Sequence, residues 1–248
     1  MTLSSCATLE RTEIDFSLLR ELQRNCGFNN AIVVSASSIA GWMATMNGNK
    51  TITFFDTQFE RQVREGDFAL NPFERLALPY LYGKILDLGC GLGNLSIKAA
   101  RRGCAVLALD ASPNAIARIK RVASTETLSI TAEQADFYSY AIADMFNTVV
   151  AIGLFMFFPK ERAIELLGDA QAHVLPGGAI IVNVLVGGTT YLDMFEPGHY
   201  YLFSESELRE HFRDWEVLEF RRDSFPAPGQ TVKEFVTVVA RKPPNPEG

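Results

Sequence analysis

The sequence has few cysteines, few histidines and no long apolar run. Its 248 residues include four cysteines and three histidines. The cysteines show neither C-x-x-C spacing nor the density of a disulfide-stabilised secreted domain; they are Cys6, Cys26, Cys90 and Cys104. We therefore expect no metal site and no oxidising compartment.

No segment of the sequence is expected to enter a membrane. The most apolar stretch, residues 31–46, is interrupted by serines, a threonine, a glycine and a tryptophan, and it is too short to span a bilayer. The first thirty residues carry charges of both signs and lack a basic start followed by an apolar core. We expect no secretory signal and predict a cytoplasmic protein.

The charge balance is acidic. The chain has 29 acidic and 23 basic residues, a net charge of −6, and its pI is near 5.2. Basic pairs such as Arg101-Arg102 are scattered and form no continuous stripe. A nucleic-acid surface normally shows a dominant basic patch, so we expect no nucleic-acid partner. With 48% hydrophobic residues, the chain is long enough for one large α/β domain with an appendage.

The most informative stretch, residues 85–94, reads I-L-D-L-G-C-G-L-G-N. An apolar strand runs into a loop with glycine at every second position, and an amphipathic helix follows at once. Glycines let the backbone turn sharply and approach a ligand closely, and the start of a helix offers unpaired N–H groups. The stretch predicts a binding site for a nucleoside-bearing cofactor.

The glycine spacing and two acids indicate which cofactor. A dinucleotide fingerprint has the spacing G-x-G-x-x-G, whereas this loop reads D-x-G-x-G-x-G, which disfavours an NAD-dependent oxidoreductase. Asp87 would repel a pyrophosphate but would suit the ammonium group of an amino-acid moiety. S-adenosylmethionine carries that group and no phosphate. A second apolar strand ends in Asp110, 21 residues beyond Gly89, where a carboxylate can bind both ribose hydroxyls.

Strands and helices are expected to alternate along the chain. We predict strands at 84–88, 105–109, 128–132, 146–152, 178–186, 215–222 and 233–241, and helices at 9–23, 71–80, 94–102, 159–173 and 204–213, with another opened by Ser112-Pro113. This order implies a doubly wound, mostly parallel sheet. The loop Phe225–Gly229 is too short for a helical crossover, so the last strand should be antiparallel. The helix opened by Asn71-Pro72 is suited to cover the cofactor mouth.

These motifs together resemble the class I S-adenosylmethionine-dependent methyltransferases, from roughly Asn71 to Arg241. The resemblance implies a seven-stranded Rossmann-like sheet with an antiparallel last strand, S-adenosyl-L-methionine as cofactor and S-adenosyl-L-homocysteine as product. It also implies that Asp136 contacts the adenine amino group. The full implied cofactor set is Asp87, Gly89, Cys90, Gly91, Asn94, Asp110, Ala111, Ser112, Ala135, Asp136, Phe137, Ile152 and Gly153.

The later motifs are similar to the tellurite-resistance-type (TehB-like) small-molecule methyltransferases. They are the run L-F-M-F-F at 154–158, Gly177-Gly178, and F-S-E-S-E-L at 203–208. The Asn/Asp-Pro-Pro-aromatic signature of amide-directed nucleic-acid methyltransferases is absent after strand four. Members of the TehB-like branch tend to carry histidine between the last two strands, where this chain has residues 224–230 without one. That departure weighs against an oxyanion or metalloid acceptor.

The acceptor side can be outlined only by residue type. Methyl transfer from a sulfonium is an in-line displacement, and a soft or anionic nucleophile needs no base. An amine, phenol or hydroxyl would need a proton acceptor, for which His199 is the candidate. Four aromatic residues could build an apolar acceptor pocket or could equally belong to the core; they are Phe155, Phe158, Tyr191 and Tyr200.

We therefore predict a methyltransferase acting on a small molecule. The alternative is a homologue that binds the cofactor without turnover, or that depends on a partner, and has a regulatory role. We divide the chain into an N-terminal extension at 1–50 that serves as a lid or a homodimer interface, a methyltransferase domain at 51–242, and a flexible tail at 243–248. The sequence does not determine the acceptor, the atom methylated, the oligomeric state or the role of the extension.

Overall fold

The structure, a computed structural model, describes residues 50–244. The chain divides into two compact units, residues 1–44 and residues 45–248. The first unit lies outside the described residues, and with it the predicted helix at 9–23 and the apolar stretch at 31–46. The division into extension, domain and tail stays a prediction.

One seven-stranded sheet organises the described residues. Its strands are β1 (Lys84–Leu88), β2 (Ala105–Asp110), β3 (Ile130–Gln134), β4 (Phe146–Ile152), β5 (Val174–Leu185), β6 (Glu216–Ala227) and β7 (Thr231–Arg241). They lie in the order β3-β2-β1-β4-β5-β7-β6, and β7 is antiparallel to both of its neighbours while the other pairs are parallel. This confirms the predicted doubly wound sheet with an antiparallel last strand.

Six α-helices occur between residues 50 and 244. They are α1 (Lys50–Glu65), α2 (Pro72–Ala77), α3 (Asn94–Ala100), α4 (Pro113–Glu126), α5 (Lys160–Ala172) and α6 (Glu205–His211). Short 3₁₀ turns lie at Leu78–Tyr80, Phe155–Phe157 and Pro228–Gln230. The starts of α2 and α4 have the predicted form, because the side chains of Asn71 and Ser112 each accept N–H groups of the first turn.

The sheet is covered on both faces. Successive residues of a strand point to opposite faces, and Ile85 and Leu86 accordingly belong to two different buried clusters. The Ile85 cluster contains side chains from α3 and α4, and the Leu86 cluster contains side chains from α5 and α6. Burial on both faces explains why the central strands read as nearly continuous apolar runs.

Predicted boundaries of the third strand and of the last two strands were wrong. The third strand begins at Ile130 and not at Leu128, because the Leu128 N–H donates to the Ala123 carbonyl at the end of α4 (2.9 Å) and Thr127 takes a left-handed conformation with φ +53°. The last two strands extend through Ala227 and from Thr231, so their connection is tighter than the predicted loop. Pro226 is tolerated in β6 because β6 is an edge strand.

None of the helices between residues 50 and 244 has the length and apolar character needed to cross a membrane. Over the same range, no three histidine, cysteine, aspartate or glutamate side chains are grouped as a metal site.

Candidate functional site

The predicted cofactor residues lie at the carboxyl edge of the sheet. The strand β1 lies between β2 and β4: the chain runs outward from β1 through β2 to β3 and then returns to β4 on the other side of β1. Such a switch point leaves a crevice beyond the carboxyl ends of the strands, where doubly wound sheets bind ligands. The glycine loop follows β1 directly and opens into this crevice.

The three alternating glycines are required by the backbone and by close packing. Gly89, Gly91 and Gly93 have φ values of +69°, +54° and +73°, which residues with a side chain rarely adopt. A Cβ atom at Gly93 would lie 2.5 Å from the Ile119 side chain, and one at Gly91 would lie 3.3 Å from the Phe59 ring. The loop is therefore closely packed and fixed in shape.

Asp110 joins the loops that follow β1 and β2. Its Oδ2 accepts the Gly91 N–H (2.8 Å) and its Oδ1 accepts the Ser112 N–H (2.9 Å). The Gly89 N–H donates to the Leu109 carbonyl (2.8 Å), which holds the two loops together. Burial raises the pKa of Asp110, and these two N–H bonds lower the pKa in part. Each carboxylate oxygen is oriented by a backbone donor and keeps a further lone pair.

Asp87, the third residue from the start of the glycine-loop motif, is 5% exposed. The Ser96 hydroxyl donates to its Oδ2 (2.5 Å). Burial raises the pKa of Asp87 to about 7, against the effect of the Ser96 bond, and the neighbouring carboxylates Glu74 and Asp110 raise it further. Among the described residues Asp87 forms no ion pair, so its charge is available for a cation.

The loop after β3 lies beside the loop after β2, because the Ala135 N–H donates to the Asp110 carbonyl (2.9 Å). Asp136 is half-buried, and its carboxylate accepts the Tyr138 N–H (3.0 Å) and the Ser139 hydroxyl (3.2 Å). These bonds hold Asp136 in a local turn, and its contact with the adenine amino group stays a prediction.

Three further residues of the predicted cofactor-binding set have defined positions. Phe137 places its ring in the core at 4% exposure, so only its backbone can face a ligand. The Ala111 carbonyl accepts the Gln134 side-chain amide (2.9 Å). Burial raises the pKa of Cys90 well above the usual thiol value, so Cys90 is a neutral filler of the loop.

Asn94, the first residue of α3, has a buried side-chain oxygen that accepts no hydrogen bond within the described residues. Buried acceptors in folded proteins are almost always paired. The unpaired oxygen of Asn94 is the kind of group that a ligand donor satisfies.

At the end of β4, Gly153 has φ +72° and follows Ile152 into the crevice, and its N–H donates to the Asn183 carbonyl (2.9 Å).

The helix α1, which the sequence analysis did not predict, contacts the loops that follow β1, β2, β4 and β5. The Ser112 hydroxyl donates to Asp56 Oδ1 (2.5 Å), and the Phe59 ring lies against Gly91. The Thr51 hydroxyl donates to the Met194 carbonyl after β5 (3.1 Å). A fourth contact joins Phe55 to Phe157 after β4, with ring centroids 5.2 Å apart. Asp56 and Phe59 are thus site residues that sequence reasoning missed.

The predicted acceptor residues are not all brought together. Phe155 and Phe158 lie in the core, at 0% and 6% exposure. Tyr200 stacks on Phe195 with centroids 4.6 Å apart. Tyr191 lies under the Lys233 ammonium, 4.6 Å from its ring centre, beside the β6–β7 hairpin.

His199 lies in the loop between β5 and α6 and is exposed. Its backbone N–H donates to the Glu196 carbonyl (3.0 Å), which closes a turn. The turn leaves the imidazole at the surface of the loop, and its role as a proton acceptor stays a prediction.

A family model for the tellurite resistance protein TehB matches residues 78–226, from just before β1 through most of β6. The chain belongs to the TehB family. A protein named hemagglutinin 1 from Eikenella corrodens is 33% identical over 64% of this chain and 55% of its own length. A probable S-adenosyl-L-methionine-dependent methyltransferase TehB from Haemophilus influenzae is 31% identical over 64% of this chain and 57% of its own length. The chain thus spans little more than half the length of the curated relatives that it matches.

Solved structures share the fold of this TehB family member. The crystal structure of TehB from Haemophilus influenzae superposes with a TM-score of 0.62 at 25% identity, covering 73% of this chain and 65% of the other. A 1,6-didemethyltoxoflavin-N1-methyltransferase from Burkholderia thailandensis, solved with S-adenosylhomocysteine, superposes with a TM-score of 0.58 at 18% identity, covering 86% and 93%. The fold is that of the S-adenosylmethionine-dependent methyltransferases.

The relative from Haemophilus influenzae is named as dependent on S-adenosyl-L-methionine, and the Burkholderia thailandensis structure holds S-adenosylhomocysteine. The residues present fit that group. Asp87 is a buried carboxylate without a cation, Asn94 offers an unpaired acceptor, and the glycine loop leaves no Cβ in the crevice.

Proposed function

We propose that this chain transfers the methyl group of S-adenosyl-L-methionine to a small-molecule acceptor by in-line displacement. The observation that carries the proposal is the row of carboxylates Asp87, Asp110 and Asp136, which end or follow the adjacent strands β1, β2 and β3 at one edge of the sheet. When bound, the cofactor supplies an electrophilic methyl group on a sulfonium. The protein has to bind the cofactor and the acceptor, orient them for the displacement and exclude water.

Each carboxylate of the row has a proposed partner. Asp87 binds the ammonium group of the cofactor, which gives its buried charge a cation. Asp110 binds the two ribose hydroxyls with the lone pairs that Gly91 and Ser112 leave free. Asp136 binds the adenine amino group from its turn, with the Phe137 backbone beside it.

The remaining loop residues complete the proposed binding site. Asn94 accepts a hydrogen bond through its unpaired oxygen. The backbone of the other loop positions lines the crevice; these are Gly89, Cys90, Ala111, Ala135, Ile152 and Gly153. Small or backbone-only contributions suit a ligand that lies flat across the strand ends.

A small acceptor is supported by what covers this edge. The helix α1 contacts the loops after β1, β2, β4 and β5, so an acceptor must fit beneath or beside a helix. The net charge of −6 gives no general attraction for nucleic acid. We retain His199 as the proposed proton acceptor, since it is exposed on the loop after β5 and an imidazole nitrogen can accept a proton. We also propose a cytoplasmic location, which the cysteine usage favours.

The test of the site is the affinity of an Asp110→Ala variant for S-adenosylhomocysteine, measured by isothermal titration. Loss of a charged partner to two hydroxyls should weaken binding by about 2–4 kcal/mol, roughly thirtyfold or more. The matched control is Asp144→Ala, because Asp144 is 64% exposed and pairs with Lys84 away from the carboxyl edge. It should bind as the parent does.

If Asp110→Ala binds S-adenosylhomocysteine as tightly as the parent does, the proposed cofactor site is wrong. Tight binding of the cofactor together with no methyl transfer to any small acceptor would favour the alternative of a non-catalytic or partner-dependent homologue.

A further inference from the structure

A strip of aromatic rings joins α1 to the loops after β4 and β5. The aromatic strip consists of Phe59, Phe55, Phe157, Phe195 and Tyr200. Successive ring centroids are 6.1, 5.2, 5.1 and 4.6 Å apart. The Phe59 end lies against Gly91 in the cofactor loop, and the Tyr200 end lies in the segment between β5 and α6. The strip therefore runs from the cofactor site along the side where an acceptor has to enter.

Four of the five rings of the strip remain partly accessible, whereas Phe195 is buried at 2% exposure. None of the 16 residues of α1 is buried, although its apolar residues Ile52, Phe55 and Phe59 share one helical face. By contrast, α3, α4 and α5 each bury four or five residues. Phe55, Phe59, Phe157 and Tyr200 are all intermediate in exposure. A helix that lies on the edge without burying any residue leaves ring surface for a ligand.

Carboxylates flank the strip on both sides. Asp56 follows Phe55 and accepts the Ser112 hydroxyl, and Glu196 follows Phe195 and accepts the Lys50 N–H (3.3 Å). Asp136 and Glu196 both act on the Tyr138 phenol, whose pKa is raised first by burial and then by these two charges. None of the ion pairs formed among residues 50–244 includes Asp56, Asp136 or Glu196.

Ring faces and unpaired carboxylates together attract a cation and repel an anion. Building on the proposed function, we propose that the acceptor is a benzylic amine that docks on the aromatic strip between α1 and the carboxyl edge, and that oxyanions are rejected there. This differs from what the family name, tellurite resistance, suggests.

The reaction of an amine suits this environment throughout. The bound ammonium first gives one N–H proton to the proposed proton acceptor His199. The lone pair of the resulting neutral nitrogen then forms the new N–C bond as the C–S bond breaks, and the electron pair of the C–S bond stays on sulfur. Positive charge passes from sulfur to nitrogen, and the methylated product leaves as an ammonium. The rings and carboxylates stabilise the positive charge before and after transfer, whereas an oxyanion would bring a negative charge into an acidic site.

The first experiment measures binding to the full chain saturated with S-adenosylhomocysteine. The probes share one ring and differ in the polar group: benzylamine, benzyl alcohol and benzoate, with tellurite as the inorganic oxyanion. Benzylamine should bind about tenfold or more tightly than benzoate, with benzyl alcohol between them. In a parallel assay with S-adenosylmethionine, benzylamine and not tellurite should yield S-adenosylhomocysteine.

Variants test whether the strip and its carboxylates cause the preference. Phe55→Leu keeps the apolar bulk without the ring, and Glu196→Gln keeps an acceptor for the Lys50 N–H without the charge. Each should reduce the ratio of amine to benzoate affinity by about fivefold. The matched control is Phe220→Leu, since Phe220 lies on the edge strand β6 under Arg209, 3.7 Å from its ring centre. The control should leave the ratio unchanged.

Two results would overturn the proposal. One is equal binding of the amine and benzoate, including no measurable binding of either. The other is tighter binding or methylation of tellurite, and a loss of that binding in Lys233→Met would place the anion at the half-buried ammonium over Tyr191 instead. Cofactor titration separates these failures from failure of the proposed function, which would appear as no binding of S-adenosylhomocysteine.

Discussion

Asp87 shows how a residue needed for binding can destabilise the protein without its ligand. The carboxylate is 5% exposed, and in the cofactor-free chain its pKa is raised to about 7, mainly by burial. An acid whose pKa is raised on folding loses stability as pH increases from the unfolded value, near 3.8, to the folded value, and the loss is complete above pH 7.

We therefore expect Asp87→Asn to be more stable than the parent at pH 8 and similar to it near pH 4. The asparagine oxygen still accepts the Ser96 hydroxyl, so the change removes mainly the charge. The gain at pH 8 should be about 2 kcal/mol, or roughly 5 °C in melting temperature, and affinity for the cofactor should fall about tenfold or more. Thermal melts at both pH values check the first result and titration checks the second. Lower stability at pH 8 would contradict the account.

At the residue scale, sequence reasoning succeeds where the motif is local. Asp87 and the glycines lie within one short stretch, and Asp110 ends the next strand, so their proximity follows from the parallel order of the strands. Asp56 and Phe59 contact Ser112 and Gly91 across 56 and 32 residues of chain, and no local pattern indicates those contacts. The burial of Phe155 in the core likewise results from tertiary packing, which no local pattern of the sequence indicates.

At the scale of elements, Gly91 connects the cofactor loop to α1. A side chain there would face both a left-handed backbone, φ +54°, and the Phe59 ring at 3.3 Å. Gly103 has a similarly positive φ of +89°, but a Cβ atom added there would meet nothing within 4 Å.

Alanine variants of Gly91 and Gly103 separate the effect of backbone strain from the effect of crowding against α1. Gly91→Ala and Gly103→Ala should each lose about 1 kcal/mol of stability, since both place a side chain in the left-handed region. Only Gly91→Ala should also weaken cofactor binding, because it displaces Phe59 and the loop. Denaturant unfolding and cofactor titration give the two readouts. Equal cofactor affinities for the two variants would show that α1 does not bear on the loop.

The start of α6 depends on Glu207. The Tyr201 hydroxyl, the Ser204 N–H (3.0 Å) and the Ser204 hydroxyl (2.8 Å) donate to its carboxylate, and Lys160 lies 3.1 Å away. The hydrogen bond from Tyr201 is the largest of the causes that lower the pKa of Glu207 to about 2.

An acid whose pKa is lowered on folding contributes stability above its unfolded pKa, near 4.5, and that contribution disappears as pH falls to about 2. We expect Glu207→Gln to lose about 1 kcal/mol at pH 7 and less as the pH is lowered. Glu210→Gln on the same helix is the control, since Glu210 is 67% exposed and should have little effect. Melting curves between about pH 2.5 and pH 7 check this; a deficit that does not vary with pH would contradict it.

Among the helices and strands, those whose ends are clearly marked in the sequence were predicted best. The strands β1 and β4 begin and end where the sequence analysis placed them, because each is a bounded apolar run. The helix α1 was missed although Ile52, Phe55, Phe59 and Val63 have helical spacing, since its first turns are rich in β-branched and aromatic residues. Tertiary contacts to four loops, which the sequence does not show, support it.

At the scale of the whole molecule, the predicted topology and the predicted resemblance to the TehB family are confirmed. The order of seven strands places the ends of β1, β2, β3 and β4 at one crevice, and the shared folds agree with that order. The proposed acceptor site uses side chains from α1 and from the segment after β5, and the motifs of the sequence do not indicate these contacts.

The most direct measurement is isothermal titration of the purified chain with S-adenosylmethionine, S-adenosylhomocysteine and NAD in parallel. The account predicts that the two sulfur nucleosides bind and NAD does not, because Asp87 accepts an ammonium group and repels a pyrophosphate. Binding of NAD, or of none of the three, would contradict it.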